Sequence, residues 1–212
     1  VWWAPVLAEK EESLLSRLSP GLRWMTLRRF VVHTLADAIA YQKSVTSANQ
    51  IDVYTAIHLE IEKAMRRLRE RAGRDVPLVV MAHSLGCHMI SNYIWDVRHS
   101  TAPAPTALER FETLRGILMM GCNIPLFLLP HQNLQPIDLA EGGTWLNFYD
   151  PDDVLAWPLR PLSEMFAAAV TEDVKVNVGG LLWSWNPKSH TEYWKDGQVL
   201  ERSVKVMLDL LR

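Results

Sequence analysis

Apolar positions along the chain fall into two kinds of pattern: short continuous runs, and longer stretches in which they return at helical spacing. Val1–Leu7 is a short run interrupted by Pro5, and AEKEESLLSRL behind it has helical spacing, so this start predicts a strand feeding a helix that Ser19-Pro20-Gly21 ends. From Thr26 to about Gln42 the residues Leu27, Phe30, Val31, Leu35, Ala38 and Ile39 predict a second helix, and a further helix runs from about Ile51 to Ala72, closed by Gly73. Val76–Ala82 is too continuously apolar to expose one face, as expected of a central parallel strand. Next come a helix over about Leu85–Val97, a Pro-containing linker at Thr101–Thr106, and a strand at Arg115–Met120. A long Pro-bearing connection begins at Ile124; connections of that length are often pocket walls or lids. A strand at Thr144–Tyr149, a helix over about Leu162–Val170, a strand at Val174–Val178, the Gly179-Gly180 turn and an amphipathic helix over about Gln198–Leu211 complete the chain. Alternating strands and helices predict the α/β class, with a mainly parallel sheet and helices on both faces.

Composition narrows the picture without redirecting it. A chain of 212 residues with 49% hydrophobic content is expected to form a single domain spanning residues 1–212. Twenty-two basic side chains against 24 acidic ones give no field that would recruit nucleic acid. The cluster Arg66, Arg67, Arg69, Arg71 and Arg74 is interleaved with Glu60, Glu62 and Glu70, the pattern of a solvated helix face. Cys87 and Cys122 have no metal-ligand spacing and read as small buried residues, which suits a reducing, cytoplasmic setting. His33 and His58 sit within predicted helices with no second ligand at a useful spacing, so no metal or other cofactor is expected. No run reaches the length of a membrane span, and VWWAPVLAEKEE lacks the form of a signal peptide.

The chemistry gathers at AHSLG. Ser84 stands at an abrupt strand-to-helix change with Ala82 two places before it and Gly86 two after, the small flanks that a nucleophile elbow requires. An α/β sheet presents its functional residues at the carboxyl ends of its strands. Ser84 follows one strand, the acidic cluster Asp150, Asp152 and Asp153 follows another, and His190 lies in the loop after the last. A serine hydroxyl needs a base within hydrogen-bond reach, and that imidazole needs a carboxylate to fix its tautomer. The chain supplies these groups in the order Ser, Asp, His, with the choice of carboxylate open. His88 lies four residues after Ser84 on the helix and points away from the role of base; His131, in the long connection, reads as a surface residue.

These features together resemble the α/β-hydrolases, in particular their lipase-like and esterase-like members, over nearly the whole chain. AHSLG resembles their elbow, LMMGCNIPLF the strand and loop after it, DPDDV the acid loop and SHTEYW the histidine loop. The resemblance implies cleavage of carboxylic esters by Ser84, Asp153 and His190, with Asp153 selected over Asp150 because the acid shortly precedes an apolar or Pro-bearing stretch. It implies an oxyanion donor in the backbone N–H of Leu85, and a supporting or pocket role for His83 beside the nucleophile. Ile124, Leu126 and Phe127 are candidate walls for an apolar acyl or alcohol group or part of a buried connector, and nearby tryptophans (Trp157, Trp183, Trp185, Trp194) suit such a substrate or the core.

One departure stands out. Counting back from the elbow, Val1–Leu7 matches the strand just before the nucleophile strand, so the usual His-Gly oxyanion loop is expected upstream of Val1. An acyltransferase, a thioesterase or, more remotely, a peptidase would share the triad; a non-catalytic binding module on the same fold is the alternative of a different class.

Overall fold

The computed structural model describes residues 1, 5–18, 37–41, 52–101, 106–127, 135–178 and 189–210. They belong to two compact units, Val1–Arg67 and Leu68–Arg212. The break at Ser19-Pro20-Gly21, most of the helix expected over Thr26–Gln42, His33, His131, Gly179-Gly180, Trp183 and Trp185 lie outside the described residues.

In the first unit α1 (Pro5–Leu18) is followed by α2, a single turn over Asp37–Ala40, and by most of α3 (Val53–Ala72). The strand expected at Val1–Leu7 is corrected here, since α1 already begins at Pro5. Proline is well suited to the first helical position, where its missing N–H has no intrahelical partner to lose and its φ is preset. The residue that reads as a strand breaker therefore starts a helix. The count that set a strand directly before the nucleophile strand loses its basis. His58 is a packed helix histidine: its ring lies 4.0 Å from that of Tyr54, and its Nε2 is 2.8 Å from the Tyr41 hydroxyl.

The second unit is built on a parallel four-stranded sheet in the order β1 (Leu78–His83), β2 (Leu114–Met120), β3 (Thr144–Tyr149) and β4 (Glu172–Lys175). Ile117, Leu118, Met119 and Met120 are wholly buried, as both faces of an interior parallel strand require. β1 differs from the central strand expected at Val76–Ala82. Among the described residues it stands at one end of the strand order, and Met81 is 38% exposed. The β4 position is also corrected, from Val174–Val178 to Glu172–Lys175. Asp173, the second residue of that strand, uses its carboxylate structurally, accepting the backbone N–H groups of Leu159 (2.9 Å) and Arg160 (2.8 Å).

Strand order that always advances one way sends right-handed crossovers over one face of the sheet. On that face Trp145 packs its ring 6.3 Å from Phe166 of α6 (Glu164–Ala169), near Ile94 of α4 (Leu85–His99). Alternate residues turn Leu118, Met120, Leu146 and Phe148 to the opposite face, where they form one core with Val199 of α7 (Gly197–Leu210). Helices thus cover both faces. Gly116 makes the second contact close. A Cβ there would lie 3.0 Å from Leu210 and 3.1 Å from Val79, so any larger residue would have to push these side chains aside.

Candidate active site

β1 runs directly into α4, and Ser84 is the single residue between them. Its φ of 54° and ψ of −129° put a non-glycine residue in the left-handed half of backbone space, a strain held in place by its N–H bond to Met120 O at 2.9 Å. Its side chain does not cap the helix it precedes, which leaves Oγ available for other work. Leu85 is the first residue of α4, so its N–H has no intrahelical acceptor and sits at the positive end of the helix dipole. The Leu85 side chain is buried.

His190 lies in a short 3₁₀ segment, Ser189–Lys195. Its Nε2 is 2.6 Å from Ser84 Oγ and its Nδ1 is 2.7 Å from Asp153 Oδ2. A carboxylate can only accept, so Nδ1 carries the proton and Nε2 is left to accept from the serine hydroxyl. Asp153 and His190 are 5% and 4% exposed, so their bond is shielded from competition by water. Ser84, His190 and Asp153 are thereby joined in one continuous hydrogen-bonded chain.

The acid loop shows why two aspartates compete in the sequence and why the structure separates them. Asp150 Oδ1 accepts from Asp152 N at 2.9 Å and Oδ2 accepts from Val178 N at 2.8 Å, tying the end of β3 to the chain leaving β4. Both its oxygens are consumed by backbone. Asp153 N bonds to Asp150 O at 3.0 Å, and this turn swings the Asp153 carboxylate to the imidazole. Farther along, Asn147 Nδ2 holds Trp157 O at 3.0 Å and Asp173 Oδ1 at 2.7 Å, pinning the loop's other end.

Two participants were not read from the sequence. Tyr193 donates its hydroxyl to Asp153 Oδ2 at 3.0 Å and accepts from Asp150 N at 2.9 Å. Burial, with the Asp153 carboxylate beside it, pushes the phenol far above its ordinary range and keeps it a donor. In a 3₁₀ turn residues three apart share a face, so His190 and Tyr193 reach the same carboxylate oxygen; that spacing in SHTEYW was the available signal. Gly121, with φ of 57°, follows β2 beneath them. A Cβ there would stand 3.0 Å from His190 Cε1 and 3.1 Å from Tyr193 Cε2.

His83 takes the supporting half of its expected role. Its Nε2–H donates to the backbone carbonyl of His190 at 2.5 Å, and the two rings are 4.9 Å apart. Burial, reinforced by the neighbouring His190, lowers its pKa from 6.5 to about 4. The sign follows directly: the unfolded chain binds the proton more readily, so stability from the neutral ring is complete above pH 6.5 and is lost as pH falls toward 4. The shift bounds that loss at roughly 3 kcal/mol. Urea midpoints at pH 7 and pH 4.5 are expected to differ more in the wild type than in His83→Gln, which keeps an N–H donor but does not titrate; equal losses would refute a buried neutral ring.

The remaining expected site residues, Ile124, Leu126 and Phe127, lie on one short helix. Ile124 opens α5 (Ile124–Phe127) and lines a cavity that Ser84 does not line, while Phe127 stacks on His88 at 4.3 Å and Leu126 is exposed. His88 also accepts from Asn92 Nδ2 at 3.2 Å, consistent with its exclusion as the base. Cys87 and Cys122 are free and buried, and burial raises the Cys87 thiol further from reactivity. Among the described residues no cluster suited to a metal ion occurs and no helix is long and apolar enough to cross a membrane.

Compared with known proteins, the chain matches no family model, no curated protein and no solved structure.

Proposed function

We propose that this chain is a serine hydrolase of the α/β-hydrolase type that cleaves carboxylic esters through an acyl-enzyme. The observation that carries this reading is the continuous relay from Ser84 Oγ to His190 Nε2 at 2.6 Å and from His190 Nδ1 to Asp153 Oδ2 at 2.7 Å. Serine becomes a nucleophile near neutral pH only with such a base, and the base works only in the tautomer that the carboxylate selects.

In the proposed reaction Ser84 Oγ bonds to the ester carbonyl carbon as its proton passes to His190 Nε2. The carbonyl oxygen becomes an oxyanion beside the Leu85 N–H at the start of α4. Collapse breaks the carbon–oxygen bond to the alcohol, which leaves with the proton from His190. Water then repeats the sequence: it gives a proton to His190, attacks the acyl carbon, and Ser84 departs with that proton as the carboxylic acid is released. The exposed apolar side chains Val154 and Trp157, in the segment after β3, and Trp194, in the 3₁₀ segment that carries His190, support an ester with an apolar part. The two free thiols support a reducing, cytoplasmic setting.

Labelling with a fluorophosphonate, followed by peptide mapping, tests the reading. The adduct is expected on Ser84 and is expected to be absent from Ser84→Ala. An adduct on another residue, or none on the wild type, would sink the hydrolase assignment.

A further inference from the structure

The face of α4 beyond its first turn borders a cavity of about 390 Å³, within the range of roughly 300–1,000 Å³ usual for small-molecule sites. Its floor is apolar and buried: Ile94, Ile124, Ile137, Trp145 and Phe166. One wall is a single helical stripe of α4, from His88 through Ser91 and Asn92 to Trp95, Arg98 and His99. The segment Gln135–Asp138, outside any helix or strand, lines it as well. Ser84 does not contribute, so occupation of this cavity is a separate event from acylation.

Shape and charge restrict what fits. Trp95 and His99 stack with ring centroids 3.7 Å apart and planes at 24°, giving one wall a flat aromatic surface. His99 Nδ1–H donates to Trp95 O at 2.9 Å, which leaves Nε2 of that ring as an acceptor. Arg98 ties α4 to neighbouring segments, with Nη1 on Asp138 O at 2.9 Å and Nη2 on Phe111 O at 2.7 Å. Its charge is balanced by the nearby carboxylates of Asp138 and Glu112. The cavity therefore offers no net charge to capture an ion, yet its rim offers donors (Arg98, Asn92) and acceptors (Asp138, His99) beside flat apolar surface.

We propose that this cavity is a second ligand site that takes an uncharged planar aromatic molecule carrying a hydroxyl, an aryl alcohol. Its ring system lies over the Ile94, Trp145 and Phe166 floor and its hydroxyl meets the polar rim. Calorimetric titration with 2-naphthol tests this, with 2-naphthoate and 2-naphthylmethylammonium as charged counterparts of the same shape. Saturable binding of one 2-naphthol per chain is expected, with both ions weaker by about tenfold or more. Ser91→Phe, which fills the cavity, and Trp95→Ala, which removes an exposed side chain and the flat wall without opening the core, are each expected to weaken binding by about tenfold. A fluorophosphonate adduct on Ser84 is expected to leave it unchanged. No saturable binding, equal binding of either ion, indifference to both substitutions, or loss on blocking Ser84 would overturn the inference. The cavity variants decide it even if Ser84 proves unreactive.

Discussion

Ser84→Ala, His190→Ala and the double replacement are expected to lower kcat for a p-nitrophenyl ester by one common factor, on the order of 10⁶. The two groups make a single device. Ser84 Oγ and His190 Nε2 share one hydrogen bond of 2.6 Å, and in the proposed reaction neither performs a step without the other. Once the serine is gone the imidazole has no proton to take, and once the imidazole is gone the hydroxyl stays protonated. The second replacement therefore removes nothing further. What survives in all three variants is binding and the oxyanion field at the start of α4, worth about 10³–10⁴ over water. Alanine at position 84 inherits the same positive φ as serine, so the comparison does not confound backbone strain with chemistry. Steady-state rates with folding checked by circular dichroism measure the outcome. A single variant keeping a hundredth of the activity would mean that the relay does not carry the reaction.

The sequence made the relay's members visible for reasons that also set the limits of such reading. Ser84 and His190 lie next to strongly patterned stretches, an apolar strand and an amphipathic closing helix, and Thr144–Tyr149 emerged with the bounds it has in the structure. Where local pattern and tertiary use diverge, legibility stops. Pro5 has the same letter whether it breaks a strand or begins a helix, and only the continuation of α1 behind it decides. Asp173 looks like a loop residue, yet from inside β4 its carboxylate caps the backbone N–H groups of Leu159 and Arg160. Ile124, whose apolar neighbours suit either an acyl wall or a buried connector, opens a short helix and lines the α4 cavity. Tyr193 escaped notice because its importance depends on the 3₁₀ spacing that aligns it with His190, and no apolar or polar periodicity encodes that turn.

The two aspartates provide the sharper test, because the same chemical change is expected to damage different properties. Asp153→Asn is expected to lower kcat by about 10⁴-fold with the fold retained. Asp153 Oδ2 receives His190 Nδ1–H and the Tyr193 hydroxyl, while Oδ1 receives Leu155 N–H at 3.1 Å. An amide has one oxygen to offer. Keeping it on Leu155 N–H turns the NH₂ toward the imidazole, which then accepts at Nδ1 and carries its proton on Nε2. That tautomer presents a donor to Ser84 and cannot take its proton. Asp150→Asn is expected instead to lower stability by roughly 1–3 kcal/mol while changing kcat much less. Its two oxygens hold Asp152 N–H and Val178 N–H, and an amide must set its own donor against one of them in a residue only 1% exposed. Thermal unfolding and ester turnover on both variants separate these outcomes. The reverse pattern, a stable but inactive Asp150→Asn beside an active Asp153→Asn, would transfer the acid role to Asp150 and break the relay as drawn.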